Sequence, residues 1–152
     1  MIQRIQSVYL LVVGILLAIC LSSSIGTIVT ADNQLATITN LAVRDAEGGA
    51  DYSPWALCVL LWISMLLAFG TIFLYRKRML QIRLTAFSSI LLIGYYLTLV
   101  AFIVMSIPSE GNYSYSIDFT VCLPFVALVL NWLAIRAIGK DEMLVKAYDR
   151  LR

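Results

Sequence analysis

Four long stretches of the sequence contain no Asp, Glu, Lys or Arg, and they limit what the chain can fold into. These stretches cover residues 5–31, 52–75, 84–109 and 119–135. A helix needs about 20 residues to cross a hydrocarbon core of about 30 Å, and about 17–25 residues are usual. Three stretches exceed that length and the fourth reaches its lower limit. They predict four membrane-spanning helices, at about 5–24, 54–75, 84–106 and 119–137.

The composition supports a membrane protein. The chain is 61% hydrophobic and 13% charged, whereas soluble domains are about 45–50% apolar and about 25% charged. The four runs are continuously apolar, which favours helices over the alternating strands of a β-barrel. We therefore predict a single all-α membrane domain over residues 1–152, built as a bundle of four transmembrane helices.

The first stretch also has features of a signal peptide, because Arg4 precedes an apolar run that ends at Ser22–Ser24. However, Ile19 stands before Cys20, where a lipoprotein cleavage site needs a small residue. The run is also longer than the apolar region of a signal peptide. We predict that this segment is retained as a membrane helix.

The basic residues predict the orientation. In a four-span arrangement, ten of the eleven Lys and Arg residues lie on one side, and only Arg44 lies on the other. Basic residues in short flanking segments stay in the cytoplasm. Both termini and the turn before the third span are therefore predicted to be cytoplasmic. The loops at about 25–53 and 107–118 are predicted to face outside.

The two outer loops contain β-strand patterns. Thr27–Thr30 and Leu35–Thr39 are rich in β-branched residues, and Asp32-Asn33 between them is typical of a turn. Asn112–Ile117 alternates with period two and predicts a third strand. We expect a small hairpin or sheet outside the membrane, and a flexible acidic connection at Asp45–Asp51.

The C-terminal segment, residues 139–152, predicts a separate cytoplasmic amphipathic helix. Gly139 is expected to end the fourth span, and Asp141 is expected to cap the new helix. Such a helix can lie on the inner headgroups or against a partner protein. Five residues are the candidates for partner binding: Asp141, Glu142, Tyr148, Asp149 and Arg150.

A basic cluster lies in the turn between the second and third spans. It consists of Arg76, Lys77, Arg78 and Arg83. Such a cluster is most simply a topology determinant that meets anionic lipid headgroups. A specific lipid-binding site is the alternative.

No residue pattern predicts catalysis, a metal site or a cofactor. The chain has no His, and no ionisable residue lies in the core of a span. Asn131 is expected to form an interhelical hydrogen bond, with a place in a pore as the alternative. Tyr95 and Tyr96 are expected to be buried with polar partners, with a lipid or quinone groove as the alternative.

The three cysteines, Cys20, Cys58 and Cys122, are spaced too widely for a CxxC-type site. Buried free cysteines behave as small hydrophobic residues, and we prefer that interpretation to a disulfide or a redox cluster. The basic residues flank spans and form no separate basic domain, so nucleic-acid binding is not predicted.

Three motifs carry a family resemblance: Met1–Ser7 at the start, Lys77–Leu84 in the inner turn, and Asp141–Arg152 at the end. Leu123-Pro124 and Arg136–Ile138 also fit. With these motifs the chain resembles a family of small four-helix membrane proteins of Bacteroidota, catalogued as a domain of unknown function. The resemblance implies a bacterial inner membrane and no particular activity.

Two main functions remain open at this point. The first is a non-enzymatic scaffold or accessory subunit that binds another membrane protein, or a second copy of itself, within the lipid bilayer. The second is a small oligomeric channel, carrier or lipid-handling protein, with Asn131 and the tyrosines lining a path. A membrane redox enzyme that uses the cysteines is a third and weaker hypothesis.

Overall fold

A computed structural model shows a mostly helical chain with one small antiparallel sheet. It describes residues 3–29, 35–45, 48–74, 77–106 and 114–150. The helices are α1 (Gln3–Ser22), α2 (Trp55–Phe73), α3 (Arg78–Ser106) and α4 (Leu123–Arg150), with a 3-10 turn at Phe119–Cys122 before α4. The strands are β1 (Ser24–Val29), β2 (Leu35–Thr39), β3 (Val43–Arg44), β4 (Ala50–Asp51) and β5 (Ser114–Ile117).

The four helices pack side by side, each against its two neighbours. α1 contacts α2 and α4, and α3 contacts the same two helices from the other side. Large apolar side chains fill the interior, among them Val13, Leu17, Leu57, Leu61 and Leu92, which have no more than 1% of their surface exposed. Gly14 brings α1 close to α2, since a Cβ atom on it would lie 2.7 Å from the ring of Phe69.

Three helical stretches are long and apolar enough to cross a membrane: Trp55–Phe73, Met79–Met105 and Phe119–Asp141. The apolar part of α1, Gln6–Ser22, is shorter. All four helices carry apolar side chains on their outward faces. Exposed examples are Val8, Leu11, Ile15 and Ile19 on α1; Trp62, Leu66 and Phe69 on α2; Ile90, Leu97, Val100 and Val104 on α3; and Phe125, Val129 and Trp132 on α4.

The last two helices differ from their predicted bounds. α3 begins at Arg78, before the predicted span, because Arg, Met, Leu and Gln all favour helix even where they leave an apolar medium. α4 continues without a break through Gly139 to Arg150. The prediction that Gly139 ends the fourth helix and starts a separate tail helix is therefore wrong. Gly139 lacks the positive φ of a helix-ending glycine, and one glycine within a helix costs only about 0.5–1 kcal/mol.

The strands form one antiparallel sheet in the order β4-β3-β2-β1-β5. The predicted β1–β2 hairpin and the third strand, β5, are confirmed, and Ile28 of β1 pairs with Ala36 on one side and Tyr115 on the other. The predicted turn at Asp32-Asn33 lies outside the described residues. The segment Asp45–Asp51, predicted as a flexible connection, instead belongs to a tight β3–β4 hairpin in which Gly48 has a φ of 85°.

The sheet packs on one end of the helices and extends their core. Ile25 of β1 and Ile38 of β2 are buried in the same cluster as Leu99 of α3. Gly26 of β1 lies so close to β5 that a Cβ atom on it would clash with the backbone oxygen of Ser116. We call this end, which carries β1–β5, the sheet end. The opposite end carries Lys77, Arg83, Arg136 and Lys140, and we call it the basic end.

Candidate functional site

Three polar side chains from three helices meet in the interior. The hydroxyls of Ser64 (α2) and Ser88 (α3) lie 2.9 Å apart. Nδ2 of Asn131 (α4) donates to Oγ of Ser88 at 3.4 Å. The predicted interhelical hydrogen bond of Asn131 is thus confirmed. Its partner Ser88 had been noticed only as a small residue, and nothing in the sequence had indicated Ser64.

This interior cluster is only partly hydrogen-bonded. Asn131 is fully buried, and its Oδ1 accepts no hydrogen bond from the described residues. A buried amide oxygen without a partner costs about 1–3 kcal/mol. None of the three side chains is an acid or a base at neutral pH. The cluster therefore links helices α2, α3 and α4 and supplies no proton-transfer group of its own.

Further polar residues are buried between this cluster and the basic end. Nε2 of Gln6 on α1 donates to the carbonyl oxygen of Ala137 on α4 at 3.2 Å. The hydroxyls of Thr71 and Thr85 bond to carbonyls of their own helices. Gln6 and Thr71 belong to stretches in which the sequence showed only an apolar span and its flank. The interior is consequently more polar toward the basic end than the charge pattern alone indicates.

At the sheet end, Asn40 joins three elements. Its Nδ2 donates to the carbonyl oxygen of Cys20 at 2.7 Å, near the C-terminus of α1. Its Oδ1 accepts from the hydroxyl of Tyr95 on α3 at 3.1 Å. All three residues are almost completely buried. Asn40 therefore satisfies a carbonyl that the end of a helix leaves without an intrahelical partner.

Two other contacts fasten β1 and the start of α4 at this end. Oγ of Ser24 donates to Oδ2 of Asp118 at 2.5 Å, and the backbone N–H of Asp118 donates to the carbonyl of Ile25 at 2.9 Å. The hydroxyl of Tyr96 donates to the carbonyl of Val121 at 2.7 Å. Both tyrosines are therefore buried or half-buried with polar partners, as predicted. Neither needs a ligand to satisfy its hydroxyl.

The three cysteines are free and occupy different environments. Cys20 is buried, Cys58 is half-buried and Cys122 is exposed. In the part of the chain that the structure describes, no group of three or more His, Cys, Asp or Glu residues could hold a metal ion.

The predicted basic cluster is described only in part. Lys77 and Arg83 are exposed, whereas Arg76 lies outside the described residues and Arg78 is described by its backbone, as the first residue of α3. In the predicted partner-binding segment, Asp141 is half-buried on α4. The other four candidates, Glu142, Tyr148, Asp149 and Arg150, are described as backbone positions of the same helix.

A cavity of about 680 Å³ lies beside α4 at the basic end. The described residues that line it are Arg136, Gly139, Lys140 and Met143. They share the face of α4 opposite Ile138, which is fully buried. Cζ of Arg136 lies 4.9 Å from the ring centre of Trp132. Sequence reasoning had used Arg136 and Lys140 for orientation alone, and the i, i+4 spacing of the two cations was the signal for this site.

Comparison with known proteins gives a family and no activity. No curated protein matches the sequence. One family, described as a domain of unknown function (DUF4293), matches residues 2–151. Because that match leaves out only the first and last residues, the chain belongs to the DUF4293 family.

Proposed function

We propose that the protein crosses the bacterial inner membrane four times, with both termini in the cytoplasm, and acts as a scaffold or accessory subunit of a membrane complex. The observation that carries this proposal is the band of exposed apolar side chains on the outward faces of all four helices. A soluble protein rarely exposes a contiguous apolar patch larger than a few hundred Å². Lipid chains and the apolar surface of another membrane protein are the environments that such faces suit.

The packing of α1 supports a fourth span. α1 has 20 residues, which is long enough for a hydrocarbon core of about 30 Å. It packs between α2 and α4, so it occupies the same depth as helices that are long enough to cross. Its exposed residues Val8, Leu11, Ile15 and Ile19 follow one outward face.

The distribution of charge supports the orientation. Lys77, Arg83, Arg136 and Lys140 gather at the basic end, whereas Asp51 and Asp118 lie at the sheet end. The positive-inside rule then places the basic end in the cytoplasm and the sheet outside. In this arrangement the C-terminal turns of α4 project into the cytoplasm, where they can contact a partner.

The burial of the interior residues weighs against a channel formed between copies. Asn131 and Tyr95 are fully buried within one chain, so they do not face a second copy. A lipid-handling role is favoured by one specific observation, the cavity beside Arg136 and Lys140. We keep that role as the second candidate.

Site-specific photocrosslinking tests the scaffold role. A photoreactive amino acid would replace Leu66, Leu97 or Met143, which are exposed on α2, α3 and α4, and Leu92, which is buried, as the matched control. In cells that express the protein at its native level, we expect one exposed position to give an adduct with a single membrane protein in high yield. The control should give none. If all three exposed positions give only lipid adducts, the scaffold role is wrong.

A further inference from the structure

One face of α4 carries apolar, aromatic and basic residues in that order. Phe125, Val129, Trp132, Arg136 and Lys140 follow one another at intervals of three or four residues, so they line up along one side of the helix. The first three are exposed apolar or aromatic side chains, and the last two are exposed cations. We call this set the α4 stripe. It has the polarity of a phospholipid: an apolar length that ends in a charged head.

The length of the stripe fits one membrane leaflet. Phe125 and Arg136 are eleven residues apart, which corresponds to about 16 Å along a helix. Half of a hydrocarbon core of about 30 Å is about 15 Å. If the first cation lies at the level of the headgroups, the apolar part of the stripe therefore reaches to about the middle of the membrane.

Trp132 orients the first cation. The guanidinium of Arg136 lies 4.9 Å from the centre of the Trp132 ring, within the range of a cation–π contact. Such a contact engages the face of the guanidinium, while its five N–H donors point outward in its plane. The tryptophan can therefore hold Arg136 in place and leave its donors directed at an oxyanion.

Gly139 leaves room for a ligand beside the two cations. A Cβ atom on Gly139 would meet no atom within 4 Å. The cavity of about 680 Å³ opens there, between Arg136 and Lys140 with Met143 at its edge. This volume lies within the range of about 300–1,000 Å³ that is usual for ligand sites. Gly139 thus contributes to the site by lacking a side chain, and not by ending the helix.

We propose that the α4 stripe binds an anionic phospholipid, with its phosphate held by Arg136 and Lys140 and an acyl chain along Trp132, Val129 and Phe125. Charge-assisted hydrogen bonds from arginine and lysine are the usual way in which proteins hold a phosphate. The proposal rests on the membrane insertion described above. The site is separate from the predicted basic cluster at residues 76–83, which belongs to α3 and the turn before it.

Lipid titration followed by native mass spectrometry tests the charge requirement. The full-length protein in neutral detergent would be titrated with phosphatidylglycerol and, separately, with phosphatidylcholine. We expect Arg136→Gln combined with Lys140→Gln to weaken phosphatidylglycerol binding at least tenfold. The matched control, Arg83→Gln, removes an exposed cation at the same end and should change the affinity less than twofold. An equal loss in both variants would mean that binding follows net charge, and would overturn the proposal.

Two substitutions at Gly139 test the cavity without changing charge. Gly139→Trp should fill the space and reduce phosphatidylglycerol binding at least tenfold, whereas Gly139→Ala should leave it unchanged. Wild-type binding by Gly139→Trp would overturn the proposal. If inorganic phosphate binds as tightly as phosphatidylglycerol, the acyl-chain part of the proposal is wrong.

The same variants separate this proposal from the proposed function. Resistance of the protein to carbonate extraction from membranes reports on insertion. Photocrosslinking reports on the partner. Loss of lipid binding in the charge and cavity variants, with insertion unchanged, supports the α4 stripe whatever the crosslinking result. Extraction of the wild-type protein by carbonate would instead contradict the membrane insertion on which both proposals depend.

Discussion

The sheet end and the basic end treat their polar groups in different ways. At the sheet end, Tyr95, Asn40 and the carbonyl of Cys20 form a continuous set of hydrogen bonds among α3, the sheet and α1. At the basic end, Arg136 and Lys140 line an open cavity. The difference indicates that tertiary stability is concentrated where the sheet meets the helices. The basic end is left accessible, as a binding surface must be.

The largest effect is expected at Gly26, where β1 and β5 approach most closely. In Gly26→Ala the new methyl group would clash with the backbone oxygen of Ser116, and a backbone atom cannot rotate away. We expect a loss of about 2–3 kcal/mol in the free energy of unfolding, the upper part of the range for overpacking. Steric trapping in bicelles measures this quantity.

Gly49→Ala is the matched control in the same sheet. A Cβ atom on Gly49 would lie 3.4 Å from Oδ2 of Asp45, at ordinary contact distance. We expect a change below about 0.5 kcal/mol, as is usual for surface substitutions. Equal effects at the two glycines would show that the β1–β5 contact contributes nothing special.

The next effect is expected at Tyr95. Tyr95→Phe leaves the buried Oδ1 of Asn40 without its donor, and an unsatisfied buried acceptor costs about 1–3 kcal/mol. Tyr96→Phe removes a hydroxyl from a half-buried residue and should cost less, about 0.5–1.5 kcal/mol. The same unfolding measurement compares them. A smaller loss for Tyr95→Phe than for Tyr96→Phe would contradict the central place given to Asn40.

The smallest effect is expected at Asn131, in the interior between the two ends. Asn131→Leu removes one long hydrogen bond of 3.4 Å and also removes an oxygen that lacks a partner. These two terms oppose each other, so the free energy of unfolding should change by less than about 1 kcal/mol. Ser88→Ala, which breaks the 2.9 Å contact with Ser64, is the control. A loss above about 2 kcal/mol for Asn131→Leu would mean that the interior is matched as fully as the sheet end.

The sequence predicted the features that depend on long patterns. Charge-free runs of 17 residues or more located all four helices, because the length of an apolar run is set by the membrane. The alternation of β-branched residues located β1, β2 and β5. Strands β3 and β4 were missed because each has only two residues, too few to show a period. Gly48-Gly49 was the one signal of that hairpin.

The contacts of the candidate sites were less predictable. Asn40 was missed because an Asn beside a strand is ordinary, and its role depends on the folded positions of Cys20 and Tyr95. Gly139 was misinterpreted because a glycine between polar residues is typical of both a helix end and a tolerated interior position. Only the backbone conformation distinguishes the two. The cavity beside Arg136 follows from that continuous helix, so it too could not be predicted.

The central claim is that the two ends lie on opposite sides of a membrane. The most direct measurement uses Gly49→Cys at the sheet end and Lys77→Cys at the basic end, both exposed, on a background without Cys20, Cys58 and Cys122. Intact spheroplasts would be treated with a membrane-impermeant maleimide. We predict that Gly49→Cys is labelled in intact spheroplasts, and that Lys77→Cys is labelled only after lysis. Labelling of Lys77→Cys without lysis would contradict the account.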